Sequence, residues 1–392
     1  KNMVMREINL EQLLHRNSVS LNMDVVENFI KDKVVLVTGG AGSIGSEICR
    51  QVLRFGCKKL VVVDFNENGL FFVDNEFKQN YAGKFVVRLG SIRDRARITE
   101  IFDEFNPEIV FHAAAHKHVP MMEINPREAI KNNVMGTVNV CQVAIMHGVK
   151  KFITISTDKA VNPTNIMGAS KRLCEMVVQS MNMVSHNGHT DWLPRLGGHR
   201  KDTLDALHDN EGQAYVSENH TSKAGTGTEF VAVRFGSVIP LFKRQIEKGG
   251  PVTVTHPDII RYFMTIPEAV SLVLQAGTYA KGGEIFVLDM GEPVKILDLA
   301  TNLIKLSGYR VGEDIEIKFT GLRPGEKMYE ELLMNEEGLK ETANKMIFIG
   351  KPIEFDEEQF REQLKELERA AVDETSDIRA EVEKIVPTYH PA

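Results

Sequence analysis

Short, continuous apolar runs alternate with longer amphipathic segments in the first part of the chain. The runs lie at residues 33–37, 60–63, 85–89 and 109–111. Runs of this length suit strands of a parallel sheet that is covered on both faces. The segments between them have the length and spacing of helices, as in residues 92–105. The alternation predicts an α/β fold with a doubly wound parallel sheet of the Rossmann type.

The pattern changes in the second half of the chain. Periodicity is lost over residues 184–228, which we expect to be a surface excursion. Helical patterns at 267–280 and 294–306 flank a strand at 284–288, and together they predict a smaller α/β lobe. An acidic helical segment with one apolar face follows at 356–384 and is expected to pack on the rest of the molecule.

A glycine motif follows the first apolar run. Gly39, Gly42 and Gly45 have G-x-x-G-x-x-G spacing between a predicted strand and a predicted helix. The first glycine allows a tight turn, the second a close approach to a pyrophosphate, and the third close helix–strand packing. The helix N-terminus adds free N–H groups and a positive dipole end. In this context the motif predicts dinucleotide binding.

Asp64 ends the second apolar run, where a ribose-binding acid belongs. Its carboxylate would accept a hydrogen bond from a 2′-hydroxyl and repel a 2′-phosphate. No arginine follows in residues 65–68. We therefore expect NAD, with NADP less favoured.

Charge and composition exclude several classes of protein. The net charge of −7 argues against a nucleic-acid partner, which would require a basic face. The four cysteines have no C-x-x-C spacing and are expected to be reduced, as in a cytoplasmic protein. No run approaches the ~20 apolar residues of a membrane span, and no signal peptide is evident. The chain begins at Lys1 rather than at Met, so we expect it to be part of a longer protein.

Histidines do not indicate a metal site. His112, His116 and His118 fall on a strand end and the loop after it, where their side chains are not expected to converge. The five histidines within 184–228 are irregularly spaced, and no cysteine lies near them. We therefore predict no bound metal.

A polar cluster follows the apolar run at 152–155. Thr157, Asp158 and Lys159 lie just after it, and Lys171 lies in the helix that is predicted next. Ligands of parallel α/β proteins bind at the carboxyl ends of the strands. A carboxyl group beside an amine suits a reaction that needs an acid and a base, although the same pair could be solvated on a loop.

Six motifs carry a resemblance to a known family: residues 38–45, 113–120, 156–172, 233–242, 261–267 and 323–327. In them the chain resembles the extended short-chain dehydrogenase/reductases, and more closely the UDP-N-acetylglucosamine 4,6-dehydratases of bacterial polysaccharide and glycan biosynthesis. The resemblance covers about residues 1–350. It is to the large, often membrane-anchored type, in which Met, here Met167, replaces the usual Tyr.

The resemblance implies a hydro-lyase that converts UDP-N-acetylglucosamine to its 4-keto-6-deoxy sugar with NAD. Asp158 is then the acid for the leaving C6 hydroxyl, and Lys159 is the base at C5. Met167 cannot take a proton, so Thr157 is expected to relay the proton of the C4 hydroxyl. Lys171 is expected to hold the nicotinamide ribose.

The same resemblance assigns binding residues. Expected cofactor contacts are Gly39, Gly42, Ser43, Ile44, Gly45, Asp64, Ser91, Ile92, Ala113, Lys117, Asn132 and Lys171. Expected substrate contacts are Lys117, Thr157, Val238, Pro240, Leu241, Thr253, Arg261 and Arg323. Arginine suits a diphosphate because its planar fork pairs with two phosphate oxygens, although Arg261 could instead form a structural salt bridge.

The chain departs from the family pattern at two places. Ser91 stands where many relatives carry Asp against the adenine, and it can still accept a hydrogen bond. A short loop that relatives carry between Gly236 and Ser237 is missing from the printed sequence. Either the protein has lost one substrate contact, or the printed sequence omits the residues that make it.

These inferences divide the chain into four predicted parts. They are an N-terminal arm (1–32), an NAD-binding Rossmann domain (33–237), a substrate-binding lobe (238–350) and a C-terminal helical tail (351–392). Two alternatives to a dehydratase stay open: a UDP-sugar 4-epimerase and a non-catalytic binding module. We further expect a homo-oligomer and a cytoplasmic catalytic domain, with any membrane anchor in a region before Lys1.

Overall fold

The computed structural model describes residues 22–187, 227–238, 242–329 and 338–391. The predicted excursion therefore falls almost wholly outside the described residues, as does most of the predicted N-terminal arm. Within the arm, one helix is described, from Met23 to Ile30.

The strands are short and follow the apolar runs. They are β1 Val34–Thr38, β2 Lys59–Asp64, β3 Phe85–Leu89, β4 Ile109–His112, β5 Lys151–Thr157, β6 Glu229–Phe235, β7 Ser237–Val238, β8 Val252–Val254, β9 Ile260–Arg261, β10 Phe263–Met264, β11 Ile285–Leu288, β12 Val294–Lys295, β13 Ile317–Phe319, β14 Lys340–Glu341 and β15 Ile347–Ile349.

The helices alternate with them. They are α1 Met23–Ile30, α2 Ser43–Arg54, α3 Glu67–Tyr81, α4 Arg95–Phe105, α5 Val119–Ile124, α6 Pro126–Glu128, α7 Gly136–Met146, α8 Ile166–Asn187, α9 Phe242–Glu247, α10 Ile266–Tyr279, α11 Ile296–Leu306, α12 Glu357–Val372 and α13 Ile378–Ile385. A π-helical turn spans Ala129–Met135, and a 3₁₀ turn spans Asp158–Ala160.

The main sheet has nine strands in the order β14-β15-β11-β6-β5-β4-β1-β2-β3. The seven strands from β11 to β3 are parallel to one another, and β14 and β15 are antiparallel additions at one edge. Helices cover both faces, so the central strands are buried on both sides. The predicted α/β fold of the Rossmann type is confirmed. Because β1, β4, β5 and β6 are parallel, their carboxyl ends meet at one edge.

The strand topology corrects the predicted division at residue 237. β11 pairs with β6 inside the main sheet, and α10 packs on α2, where Gln51 Nε2 donates to the Pro267 carbonyl at 3.0 Å. The run from 285 to 288 is wholly buried, as expected for a strand with neighbours on both faces, and the main sheet provides them. A smaller apolar core does exist, built from β8, α9, α11 and the residues around them.

Residues 121–147 do not form one continuous helix. α5 ends at Ile124, Pro126 starts the short α6, and a π-helical turn precedes α7. Proline lacks the N–H that would continue the helix and disfavours helical backbone at the residue before it.

The C-terminal helices pack on the Rossmann domain. The predicted apolar face of α12, with Phe360, Leu364 and Leu367, is buried in the same core cluster as α8, which confirms the prediction of a packing helix.

None of the helices in the described ranges combines the length and the apolar character that crossing a membrane requires.

Candidate active site

The turn between β1 and α2 brings the glycine motif to the carboxyl edge of the sheet. Gly39 has φ +65°, a backbone conformation that residues with a side chain rarely adopt. A Cβ on Gly45 would overlap the Gly39 carbonyl. The N-cap of α2 is Gly42, which has no side chain to cap the first-turn N–H groups. These donors, at the positive end of the helix dipole, fit the pyrophosphate of a dinucleotide.

Asp64 holds this turn in place. The residue is 8% exposed; Oδ2 accepts from Ala41 N at 3.0 Å, and Oδ1 accepts from Asn66 N at 2.9 Å. Each carboxylate oxygen can accept a second hydrogen bond. The geometry is therefore compatible with the predicted bond to a ribose hydroxyl.

A series of buried hydrogen bonds centred on His112 lies beneath the turn. Its Nδ1 is 2.7 Å from Thr38 Oγ1, and its Nε2 is 2.8 Å from Thr137 Oγ1. Burial, and after it the Lys171 ammonium, lowers the pKa of His112 to about 3. The ring is therefore neutral at pH 7. Thr38 Oγ1 also accepts from Ala114 N at 3.3 Å, which joins the ends of β1 and β4.

Thr157, Asp158 and Lys159 converge at the end of β5. The Asp158 side chain is only 2% exposed; its Oδ1 accepts from Thr157 Oγ1 at 2.9 Å and lies 3.5 Å from Lys159 Nζ. Thr157 Oγ1 also accepts from Lys159 N at 3.3 Å. A carboxyl this buried is not half of a solvated loop pair, so an acid, an amine and a hydroxyl share one position at the sheet edge.

Met167 and Lys171 lie at the start of α8, next to this group. Met167 is 3% exposed and belongs to the large core cluster. Lys171 Nζ donates to the Ile155 carbonyl of β5 at 2.9 Å. Burial lowers the pKa of Lys171, although Cys174 and Glu175 oppose it. Lys171 is thus anchored beneath the end of β5, and its contact with a ribose stays a prediction.

An ion pair behind the site was missed by sequence reasoning. Arg234 Nε and Nη2 each donate to Glu175 at 2.7 Å, and Ser156 Oγ donates to Glu175 Oε1 at 2.7 Å. Burial acts to raise the pKa of Glu175, but Arg234, Arg172 and the Ser156 hydroxyl together hold it below its usual range. Glu175 follows Lys171 by four residues, one turn along the same helix face, and that spacing was the available signal.

The other predicted cofactor residues line the same edge. Lys117 Nζ donates to Ser43 Oγ at 3.1 Å, and burial lowers the pKa of Lys117. Ile44 packs at the margin of the second core cluster. The backbone of Ala113 lies against Gly39, so the ends of β1 and β4 touch.

Ser91, Ile92 and Asn132 are held by contacts inside the chain. Ser91 Oγ accepts from Arg93 N at 3.2 Å. Ile92 is buried in the main core, and Asn132 Nδ2 donates to Asn133 Oδ1 at 3.2 Å. Their contacts with a cofactor stay predictions.

Two of the predicted substrate residues, Thr253 and Arg261, are used inside the protein. Thr253 Oγ1 accepts from Gln245 Nε2 at 2.7 Å. Arg261 is 7% exposed and donates to the carbonyls of Lys327 at 2.8 Å and Met328 at 3.3 Å. Arg261 also pairs with Glu326 at 3.3 Å, which is the structural salt bridge that was left open.

Arg323 lies in the loop whose backbone carbonyls accept hydrogen bonds from Arg261. It is exposed, and its charge helps lower the pKa of His118, after burial and Lys117. Charges on two loops, Lys117 and Arg323, therefore both act on His118. Val238 pairs with Met264 through its backbone, and Pro240 and Leu241 lie outside the described residues.

Comparison with known proteins places the chain in a family. A family model described as polysaccharide biosynthesis protein matches residues 35–197 and 208–352. The capsular polysaccharide biosynthesis protein CapD of Staphylococcus aureus is 48% identical over 356 residues, which are 88% of this chain and 53% of that protein. The chain thus spans about half the length of this relative.

Two further matches cover most of both chains. A UDP-glucose 4-epimerase of Rickettsia rickettsii is 33% identical over 314 residues, 79% of this chain and 80% of that protein. The X-ray structure of Pen from Bacillus thuringiensis superposes with a TM-score of 0.66 at 30% identity, over 86% of this chain and 99% of that one. With the Rossmann sheet and the glycine turn, the extent of these matches shows that the chain belongs to the polysaccharide biosynthesis protein family of extended short-chain dehydrogenase/reductases.

Proposed function

We propose that this protein dehydrates a UDP-N-acetylhexosamine to the 4-keto-6-deoxy sugar, and that the substrate is UDP-N-acetylglucosamine. The observation that carries the proposal is the buried Asp158 carboxyl group in contact with both Lys159 and Thr157. Oxidation at C4 alone requires one proton acceptor, whereas loss of water across C5 and C6 requires an acid and a base on the same sugar. The capsular relative supports a polysaccharide precursor as the substrate class.

The turn between β1 and α2 suits NAD. When bound, NAD supplies the hydride acceptor for oxidation at C4 and the hydride donor for return to C6. Asp64 accepts from the ribose 2′-hydroxyl and disfavours a 2′-phosphate. Lys117 reaches the phosphate end through its position beside Ser43, and Lys171 holds the nicotinamide ribose from below.

The three residues at the end of β5 then move the protons. Thr157 takes the proton of the C4 hydroxyl and passes it to Asp158, to which it is hydrogen-bonded. Lys159 removes the C5 proton, which the 4-keto group has made acidic, while Asp158 protonates the departing C6 hydroxyl. Lys159 returns its proton to C5 as hydride returns to C6. One water leaves, and no net oxidation remains.

The diphosphate of the substrate is assigned to the cations above the sheet. Arg323 is exposed beside His118 and Lys117 and can pair with phosphate oxygens. Arg261 acts through the loop that carries Arg323, because its donors bind the backbone of that loop. Thr253, Val238, Pro240 and Leu241 stay proposed contacts to the remainder of the nucleotide sugar.

The test is incubation with UDP-N-acetylglucosamine and NAD, followed by proton NMR. A 4-keto-6-deoxy product supports the proposal. Formation of UDP-N-acetylgalactosamine would identify an epimerase instead, an alternative that the rickettsial relative favours. An unchanged substrate would leave only a binding function.

The role of Thr157 is tested separately. Thr157→Val keeps the shape of the side chain but removes the hydroxyl that contacts Asp158, so NADH formation from the UDP-sugar should fall about 100-fold or more. Thr157→Ser restores a hydroxyl and should recover most of the rate. Equal NADH formation by Thr157→Val and the unaltered protein would disprove the relay.

A further inference from the structure

The C-terminal helices contact the segment that holds the candidate acid and base. Arg379 Nη2, on α13, donates to the Glu123 carbonyl at 2.6 Å and to Glu123 Oε2 at 3.1 Å. His390 N donates to the Pro163 carbonyl at 3.0 Å. Pro163 lies in the loop between Lys159 and the start of α8. The C-terminal segment therefore contacts this loop as well as Glu123.

Glu123 extends the contact to α8 itself. Its Oε1 accepts from Ile166 N at 2.7 Å, and Ile166 is the first residue of α8. A carboxylate at this position satisfies a helix N–H group that has no partner within the helix and complements the dipole. The Arg379 guanidinium fixes the other oxygen of the same carboxylate. The start of α8 therefore depends on a residue of α13.

The first turn of α8 packs against Lys159. A Cβ on Gly168 would overlap the Lys159 carbonyl oxygen, so the two backbones are in direct contact. Asn165 Oδ1 accepts from Gly168 N at 2.7 Å and completes the cap. Displacing this turn would move the Lys159 backbone and, on α8, Lys171.

The tail is itself firmly anchored. Arg127 donates to the carbonyls of Ala370, Glu374 and Ser376 between α12 and α13. Tyr389 is 2% exposed, and burial raises its pKa to about 12. Residues 357–391 thus form a fixed support beside the site, which we call the C-terminal brace.

We propose that Arg379 and Glu123 are positioning residues, through which the C-terminal brace sets the start of α8 and the place of Lys159. The kinetic consequence rests on the proposed function. The structural consequence does not, because the mobility of residues 158–168 can be measured without substrate.

The experiment compares Arg379→Met, Arg379→Lys and Glu123→Gln with the unaltered protein. Lys384→Met is the matched control, because Lys384 lies on the same helix but pairs with Glu381 at the surface. Hydrogen exchange of residues 158–168 is followed by mass spectrometry. The kcat and KM for UDP-N-acetylglucosamine are measured in parallel.

Arg379→Met should speed exchange of this segment about tenfold, since the charge-assisted hydrogen bonds to Glu123 that hold the start of α8 are lost. The kcat should fall about tenfold with KM little changed. The exchange rate and kcat of Arg379→Lys should lie between those of Arg379→Met and the unaltered protein. Glu123→Gln should show a smaller effect of the same sign, and Lys384→Met should match the unaltered protein.

Exchange that is unchanged in both Arg379→Met and Glu123→Gln would overturn the inference. If Arg379→Met does not fold, Glu123→Gln decides, because its amide still accepts from Ile166 N. If the unaltered protein shows no dehydration while exchange responds as expected, the proposed function fails and the brace stands.

Discussion

At the residue scale, the proposed elimination rests on Lys159 and Asp158. Their side chains are 3.5 Å apart, with the carboxyl buried and the amine 23% exposed. An amine that is partly open can reach a substrate, while a buried carboxyl is shielded from bulk water. This difference in access favours the proposed assignment of base to Lys159 and acid to Asp158.

Lys159→Met should abolish exchange of the sugar C5 proton with deuterated water, because no other amine contacts Asp158 in the described part of the site. Turnover should fall by about 100-fold to 10,000-fold, the usual contribution of a general base. Proton NMR of the substrate in deuterated water measures the exchange. Lys150→Met, at an exposed lysine before β5, is the control, and retained exchange in Lys159→Met would reject the assignment.

At the element scale, the start of α8 lies in close contact with the backbone of Lys159. Gly168 has no Cβ, and this is the only reason that the helix can lie against the Lys159 carbonyl. The helix also carries Met167 and Lys171. Its position therefore sets the relation between the proposed base and the proposed cofactor contact.

Gly168→Ala should lower turnover about 100-fold, the effect expected when a catalytic group moves by about 1 Å. Binding of NAD should change less, because the glycine turn is not touched. Gly277→Ala, in α10, is the control, since its Cβ would meet side-chain atoms, the ring of Phe29 at 3.0 Å and Ile153 Cδ1 at 3.5 Å. Steady-state kinetics with intrinsic-fluorescence titration of NAD measures both, and unaltered turnover in Gly168→Ala would contradict this contact.

Three elements meet at the ion pair between Glu175 and Arg234. It joins α8 to β6, and Ser156 adds β5. Both side chains are at most 1% exposed, so removal of Arg234 takes from the buried Glu175 carboxylate its two short charged contacts and leaves the longer one to Arg172, at 3.7 Å. The pair therefore holds the strand end from which Thr157 and Asp158 project.

Arg234→Met should lower the free energy of unfolding by about 3–5 kcal/mol, as breaking a buried ion pair does. Lys365→Met, which removes a surface pair with Glu362, should change it by less than about 1 kcal/mol. Urea titration followed by circular dichroism measures both values. Similar midpoints for the two variants would show that burial of this pair matters less than we infer.

At the scale of the whole molecule, stability should depend on pH through His112. The ring is neutral in the folded protein because its pKa is lowered to about 3, whereas an unfolded histidine titrates near 6.5. The unfolded chain therefore takes up a proton first as pH falls. This contribution to stability is fully present above pH 6.5 and is lost between pH 6.5 and about 3, at about 1.4 kcal/mol per pH unit.

His112→Gln removes the titrating ring but keeps hydrogen-bonding groups between Thr38 and Thr137. The difference in unfolding free energy between the unaltered protein and this variant should shrink as pH falls from 7 to 5. Urea titrations at several pH values measure it. A difference that is constant with pH would show that the ring is not held neutral by the fold.

The sequence alone determined the Rossmann sheet, the glycine turn and the polar group after β5, because each depends on residues adjacent in the chain. Apolar runs become buried parallel strands, and the order of strands and helices places their ends together. Met167, four residues before Lys171, could be recognised as unusual only through the family resemblance, in which Tyr usually holds that place.

Only the tertiary structure decided which distant residues meet. It placed residues 285–288 in the main sheet, turned Arg261 toward the loop at 326–328, and paired Glu175 with Arg234. It also brought Arg379 to Glu123 at the start of α8. These contacts join residues far apart in sequence, so no local pattern records them, and packing around a shared core selects the partners.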